Sequence, residues 1–232
     1  MFPPTDVFTR PKKTNWSKDS FRGCCFDYLE NALKDEPSTA TLLDIGCGNN
    51  DFEKITSRFR YTGVDFFPYK PVSVVSDLGK PLPFESKSFD IVFANSTLEH
   101  IPNPWDTIDE VYRVLKSGGK FVGGIPFLVK EHQEPYDFVR FTEYGLKSVL
   151  SRAGFVDIDV TPMGPPLHTY ESIQRFFFRE LHHSPLGWEW WRVARIVERV
   201  IMWQMRVLRP LYKKAQRSGV LAEGFGFSAK RI

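Results

Sequence analysis

The pattern of apolar and polar positions is read most easily at Thr41-Leu42-Leu43-Asp44-Ile45, an apolar run too short for a helix that reads as a buried parallel strand. Gly46-Cys47-Gly48 marks a tight turn behind it, and Phe52, Ile55, Thr56 and Phe59 then recur at helical spacing. The order is therefore strand, glycine-rich turn and helix, the helix expected over 51–59. Further strands are expected at 61–65, 72–75, 89–94, 119–125 and 155–161, and helices at 20–34, 105–116 and 143–153. The first of these helices would lay Phe21, Cys24, Cys25, Tyr28, Leu29 and Leu33 against the sheet. Alternating strand and helix implies a doubly wound, mostly parallel sheet that binds ligands outside the carboxyl ends of its strands. The segments to examine for chemistry are Gly46 to Asn50, Asp65-Phe66, Asp77-Leu78, Asn95 to His100 and Pro126 to Arg140.

Gly46 and Gly48 let a ligand approach the backbone where a Cβ would collide. The free N–H groups at the start of the expected helix would then face polar groups of that ligand. Asp65 ends a second short strand 21 residues after Asp44. At that separation a carboxylate can accept hydrogen bonds from a ribose diol. Asn50 holds the place of the third glycine of a dinucleotide fingerprint. A pyrophosphate needs that close approach and an amino-acid tail needs less of it, so a dinucleotide oxidoreductase is disfavoured.

These residues resemble the class I S-adenosylmethionine-dependent methyltransferases, which have a seven-stranded Rossmann-like sheet. The resemblance rests on Asp44-Ile-Gly-Cys-Gly, Asp65, Ser76-Asp77-Leu78 and Pro83-Phe84 leading into Ser88-Phe89-Asp90-Ile91-Val92. It continues through Leu98-Glu99-His100-Ile101-Pro102 and Arg113-Val114-Leu115-Lys116-Ser117-Gly118-Gly119, covering residues 21 to 160. It implies S-adenosylmethionine as cofactor, held by Asp44, Gly46, Gly48, Asn50, Asp65, Phe66, Asp77, Leu78 and Asn95. In that set Asp65 takes the ribose, Phe66 packs on the adenine and Asp77 accepts from the adenine amino group. Asp44 orients the loop or reaches the methionine ammonium. His100 lines the pocket near the methyl group. The bland alternative for Asp77 is an Asx-turn, and Asp90 reads as structural.

His132-Gln133-Glu134-Pro135-Tyr136-Asp137-Phe138-Val139-Arg140 lies between the fifth strand and the next helix, for which Thr142 is the expected N-cap. This stretch resembles one in bacterial methyltransferases associated with sugar or polysaccharide modification. It makes Tyr136, Asp137 and Arg140 candidates for acceptor binding, and His132 with His100 candidates for the base that takes the acceptor's proton. His132 with Glu134 lacks a third ligand at metal spacing, so no metal site is expected.

Family members close the sheet with an antiparallel last strand, and Gly224 to Lys230 resembles it. The expected organisation is an N-terminal arm (1–20), a Rossmann-like domain (21–163 with 223–232) and a helical insertion (164–222) between the sixth and seventh strands. Within the insertion, 170–179 reads as a short helix and 188–217 as a long one. On the long helix Arg192, Arg195, Arg199, Arg206, Arg209, Lys213 and Arg217 share a stripe about 100° wide, with Trp190, Trp191, Val193, Val197, Val200, Trp203, Val207 and Leu211 over most of the rest. Such a helix suits an anionic membrane surface, or else packs on the core with a solvated basic face.

Composition narrows the class further. With 232 residues, 42% of them hydrophobic, the chain can form one well-buried α/β domain. A net charge of +3 is too small to imply nucleic acid, and no nucleic-acid partner is expected. Three cysteines, two of them adjacent, make no disulfide framework and fit a reducing cytoplasm. There is no signal-peptide pattern and no apolar run of spanning length, so the expected location is cytoplasmic, peripheral at the inner face of the membrane if the long helix binds there. The expected activity is O-methylation of a sugar hydroxyl in a glycan or lipid-linked saccharide. The alternatives are a quinone or other small-molecule O-methyltransferase, or a non-catalytic nucleoside-binding or membrane-associated protein of the same fold.

Overall fold

The computed structural model describes residues 18, 20–182, 188–214 and 221–232. The expected N-terminal arm lies almost wholly outside the described residues, as does Arg217 of the basic stripe. So do the side chains of Trp190, Trp191, Arg206, Arg209, Leu211 and Lys213.

Seven strands form one sheet: β1 (Thr41–Ile45), β2 (Arg60–Asp65), β3 (Val74–Val75), β4 (Phe89–Asn95), β5 (Leu115–Pro126), β6 (Phe155–Met163) and β7 (Gly224–Arg231). Their order is β3-β2-β1-β4-β5-β7-β6. β1 to β5 pair in parallel, whereas β7 runs antiparallel to both β5 and β6. This is a Rossmann-like α/β sheet with an inserted antiparallel strand, as expected from the sequence.

Side chains alternate across each strand, and the two faces carry separate cores. Leu43, Ile45, Val92 and Ala94 pack with α3 (Pro104–Val114) and α4 (Glu143–Arg152). Leu42, Ile91 and Phe93 pack with α1 (Phe21–Leu33) and the aromatic cluster of Phe52 and Phe59. Ser20 caps α1 by accepting from the amide of Gly23 at 3.2 Å. Thr142 caps α4 through the amide of Gly145 at 3.1 Å. Each cap satisfies an N–H that the first turn leaves without an intrahelical partner.

Two elements differ from expectation. The helix after the glycine turn, α2, is only Glu53–Thr56. The amide of Phe59 turns back to the carbonyl of Thr56 at 3.1 Å, which buries Phe59 at the cost of further helix. A single turn has little macrodipole, so the argument from a helix N-terminus fails here. β5 starts earlier than expected because Leu115 pairs with Phe89 before a register shift brings Lys120 opposite Ile91.

Between β6 and β7 come α5 (Pro166–His182) and α6 (Trp188–Lys214), which pack on each other. The first is longer than the expected 170–179. In α6, Arg192, Arg195 and Arg199 are exposed, and so are Val193, Val197, Val200, Trp203 and Val207. No described helix is long and apolar enough to cross a membrane.

Candidate active site

The site is built at the carboxyl ends of β1, β2 and β4. Gly46 turns at φ +70°, and a Cβ there would meet the Thr97 side chain at 2.3 Å. Thr97 is itself fixed, its hydroxyl donating to the carbonyl of Ile45 at 3.0 Å. Gly48, at φ +49°, faces open space, with nothing within 4 Å of the position a Cβ would take. Asp65 holds this loop, its Oδ2 accepting from the Gly48 amide at 2.9 Å and its Oδ1 from the Phe67 amide at 3.0 Å. The carboxylate still has lone-pair capacity for a further donor. Phe66, beside it, is 45% exposed.

Asp44 lies beneath the loop, 4% exposed, and accepts from the Tyr61 hydroxyl at 3.0 Å. Burial pushes its carboxyl up to about 8; the Tyr61 hydroxyl opposes the rise and Asp65 adds to it. Burial likewise raises Asp65, against the amides of Phe67, Gly48 and Phe66. Two buried acids this close favour a cationic ligand group between them. At the exit of β4, Asn95 Oδ1 is buried with no hydrogen-bond partner. Two desolvated acids under an open glycine loop, with an orphaned acceptor at the neighbouring strand exit, suit an amino-acid tail and sulfonium, so these residues fit S-adenosylmethionine.

Three members of the expected cofactor set also make contacts that shape the fold. Asn50 is turned inward at φ +53°, its Oδ1 accepting from the Thr56 hydroxyl at 3.1 Å, and so shapes the loop from behind. Asp77 forms the Asx-turn named as its bland alternative, accepting from the Gly79 amide at 2.9 Å. Leu78 is 7% exposed, with its carbonyl taken by the Thr107 hydroxyl at 2.8 Å.

The loop of residues 127–142 docks on the 3-10 turn Leu98–His100. The amide of Phe138 donates to the carbonyl of Glu99 at 2.8 Å. His100 Nδ1 lies 2.5 Å from the carbonyl oxygen of Tyr136, and the rings of His100 and His132 stand edge to face with centroids 4.9 Å apart. Asp137 is an internal brace. It takes both arms of the Arg140 guanidinium (Nη2 to Oδ2 2.6 Å) and the amide of His132 at 2.9 Å. Burial alone would raise Asp137, but these donors outweigh it and hold the carboxyl down to about 2. Burial pushes the His100 imidazole down. Of the expected acceptor residues, then, the fold brings Tyr136, Asp137 and Arg140 together with both histidines, but Asp137 is committed within the loop.

Glu99 was not singled out in the sequence. It is fully buried, with both carboxylate oxygens lacking a hydrogen-bond partner. Burial pushes it up to about 8. With His100 and His132, and without Glu134, it presents ligand atoms within 4.8 Å of one another.

Residues 43–123 match the methyltransferase domain family. An uncharacterized protein of Methanocaldococcus jannaschii is 40% identical over 114 residues, covering 44% of this chain and 55% of its own length. The chain spans about half the length of the curated relatives it matches. A crystal structure of a SAM-dependent methyltransferase from Archaeoglobus fulgidus superposes with TM-score 0.56 at 19% identity, covering 92% of this chain and 97% of that one. The cyclase SpnF superposes with TM-score 0.59 at 18% identity, over 97% of this chain and 86% of its own. Residues 43–123 are therefore similar to a methyltransferase domain, and the chain has the class I S-adenosylmethionine-dependent methyltransferase fold.

Proposed function

We propose that the chain transfers the methyl group of S-adenosylmethionine to an oxygen of a small-molecule acceptor, and that the acceptor is a saccharide hydroxyl, free or lipid-linked. The observation that carries methyl transfer is the open Gly48 backbone clamped by Asp65 above the buried Asp44. When bound, S-adenosylmethionine supplies an electrophilic sulfonium methyl, so the protein's main task is alignment. Asp65 meets the ribose, Phe66 offers its exposed face to the adenine, and Asp44 with Asn95 Oδ1 receives the ammonium. The 127–142 loop supplies the acceptor side. Arg140 and Tyr136 offer polar contacts, Phe138 an apolar face, and the His100–His132 pair stands where the acceptor's proton has to go.

The polar and aromatic character of this loop supports a saccharide over a purely apolar substrate. A quinone or other phenol is the second reading, favoured by Phe138, which is 45% exposed. For the lipid-linked form of the acceptor, the apolar residues exposed on α6 beside Arg192, Arg195 and Arg199 support docking at an anionic membrane surface. The domain organisation follows: a cofactor-binding unit from 21–163 with 223–232, and a helical insertion, 164–222, that meets the substrate's surroundings. A cyclase shares the fold, so the reaction needs a direct test. The protein is incubated with methyl-labelled S-adenosylmethionine and a panel of glycans, lipid-linked saccharides, quinols and phenols. Label transfer to a saccharide with stoichiometric S-adenosylhomocysteine is the expected result. Transfer only to phenols overturns the acceptor, and tight cofactor binding with no transfer to any acceptor class overturns the activity.

A further inference from the structure

The Glu99 carboxylate is fully buried, and neither of its oxygens meets a hydrogen-bond donor from another described residue. A charge in that position is stable only when something else neutralises it. Its nearest cationic neighbours are already engaged, Arg22 with Asp51 at 2.7 Å and Arg140 with Asp137. What Glu99 Oε1 does face are two imidazole nitrogens, His100 Nε2 at 3.6 Å and His132 Nε2 at 3.9 Å.

The opposite nitrogen of each ring is also placed. His100 Nδ1 lies 2.5 Å from the Tyr136 carbonyl oxygen. His132 Nδ1 lies 3.2 Å from Asp137 Oδ2 and 3.3 Å from the Lys130 carbonyl oxygen. Both Nδ1 atoms thus face acceptors and carry the ring proton, which leaves each Nε2 lone pair directed at Glu99. A carbonyl or carboxylate behind each imidazole is the arrangement that orients histidine ligands of metal ions. The Gln133 amide nitrogen, 3.2 Å from His100 Nε2, marks the same lone pair and has to turn aside when an ion enters.

Size agrees as well. Two ligands about 2.1 Å from a tetrahedral ion stand about 3.4 Å apart. The Glu99–histidine separations of 3.6 and 3.9 Å close with shifts of a few tenths of an ångström. The two imidazole ligand atoms, within 4.8 Å of one another, draw together as the side chains turn onto the ion. We propose that Glu99, His100 and His132 bind one divalent transition-metal ion of the zinc type, with a fourth position open to water or an acceptor oxygen. Two imidazoles and one carboxylate favour such an ion over magnesium, which prefers an all-oxygen octahedron. The binding claim stands on this geometry alone; only its part in catalysis rests on the function proposed above. There the imidazoles would act as ligands, and the ion would lower the pKa of the acceptor hydroxyl it holds.

The test uses the full chain, stripped with a chelator and titrated with zinc against a competing chelator. Metal content is read after gel filtration, and S-adenosylmethionine affinity is measured in parallel. The wild type should retain one equivalent. Glu99→Gln and His132→Ala should each weaken zinc binding by at least roughly a hundredfold, and Asp137→Asn by roughly ten- to a hundredfold as an orienting group. Glu99→Gln keeps the shape of a buried side chain that already disfavours carrying charge, so circular dichroism and a thermal melt should show it folded. Less than one equivalent in the wild type, zinc retained by both ligand variants, or magnesium displacing zinc at equal concentration would each overturn the proposal. Unchanged cofactor affinity alongside such a failure would leave the methyl-transfer reading intact.

Discussion

Asp65 Oδ2 accepts the amide proton of Gly48 at 2.9 Å across 17 residues of chain, joining the ends of the first two strands through one carboxylate. The acid read from the sequence as a ribose ligand thus also fixes the loop that the cofactor approaches. The two roles are compatible because a carboxylate offers about four lone-pair sites and the loop amides do not use them all.

Asp65→Ala should weaken S-adenosylmethionine binding by about 1–3 kcal/mol, the range for losing charge-assisted hydrogen bonds. Titration calorimetry on the folded variant checks this, and an unchanged affinity would remove Asp65 from the site.

Cofactor affinity should depend on pH through Asp44. Its folded carboxyl is raised to about 8, so the free protein binds a proton there below that pH, and a cationic ligand displaces it. Affinity should therefore rise between about pH 6 and 8. The sign for stability is opposite. A raised folded pKa means that the ligand-free protein loses stability as pH climbs from the ordinary carboxylate range towards 8. Asp44→Asn should make both slopes shallower, with Asp65 and Glu99, whose carboxyls burial also raises, keeping the remainder. Calorimetry and chemical denaturation across that window measure them.

Arg140→Ala should leave cofactor affinity within about twofold and lower turnover roughly ten- to a hundredfold, because loss of the Asp137 brace lets the acceptor loop drift. Loss of cofactor binding in a folded Arg140→Ala protein would instead assign the loop to the cofactor side.

Arg195→Gln with Arg199→Gln should spare folding and weaken binding to anionic vesicles by about 1 kcal/mol for each charge, with steep salt dependence. Vesicle co-sedimentation at low salt is the measurement. A wild type that stays in the supernatant makes α6 a packing element or lid.

Phe227→Ala should cost about 3–5 kcal/mol in urea denaturation. Its ring is fully buried on β7 and meets Phe121 at 4.9 Å between centroids.

Much of this architecture could be read along the chain because local pattern and final environment agree. Buried apolar runs mark the strands, Thr142 marks a helix start, and Gly224 to Lys230 alternates small and aromatic residues as a strand between two others. The overrun of α2 has the opposite cause. Phe59 lies on the helical period of Phe52 and Ile55, but its burial comes from a tight turn, which periodicity alone cannot distinguish from another helical turn. Asp77 and Asn50 show a related effect, since a short polar side chain at a strand exit serves its own turn as readily as a ligand. Glu99 was the hardest to see. Its partner His132 lies 33 positions away on another loop, and the contact exists only because Tyr136 and Phe138 dock on the 3-10 turn.

The position of β7 bears on what happens when synthesis or folding is interrupted. β6 pairs with β7, and β7 with β5, so the gap between β5 and β6 is filled only by residues that follow both long helices. Until those residues arrive, two long strands offer unsatisfied edges to any extended segment nearby. A chain broken within α5 or α6 would therefore be recovered as aggregate, because the residues that close the sheet are the last of it to be made.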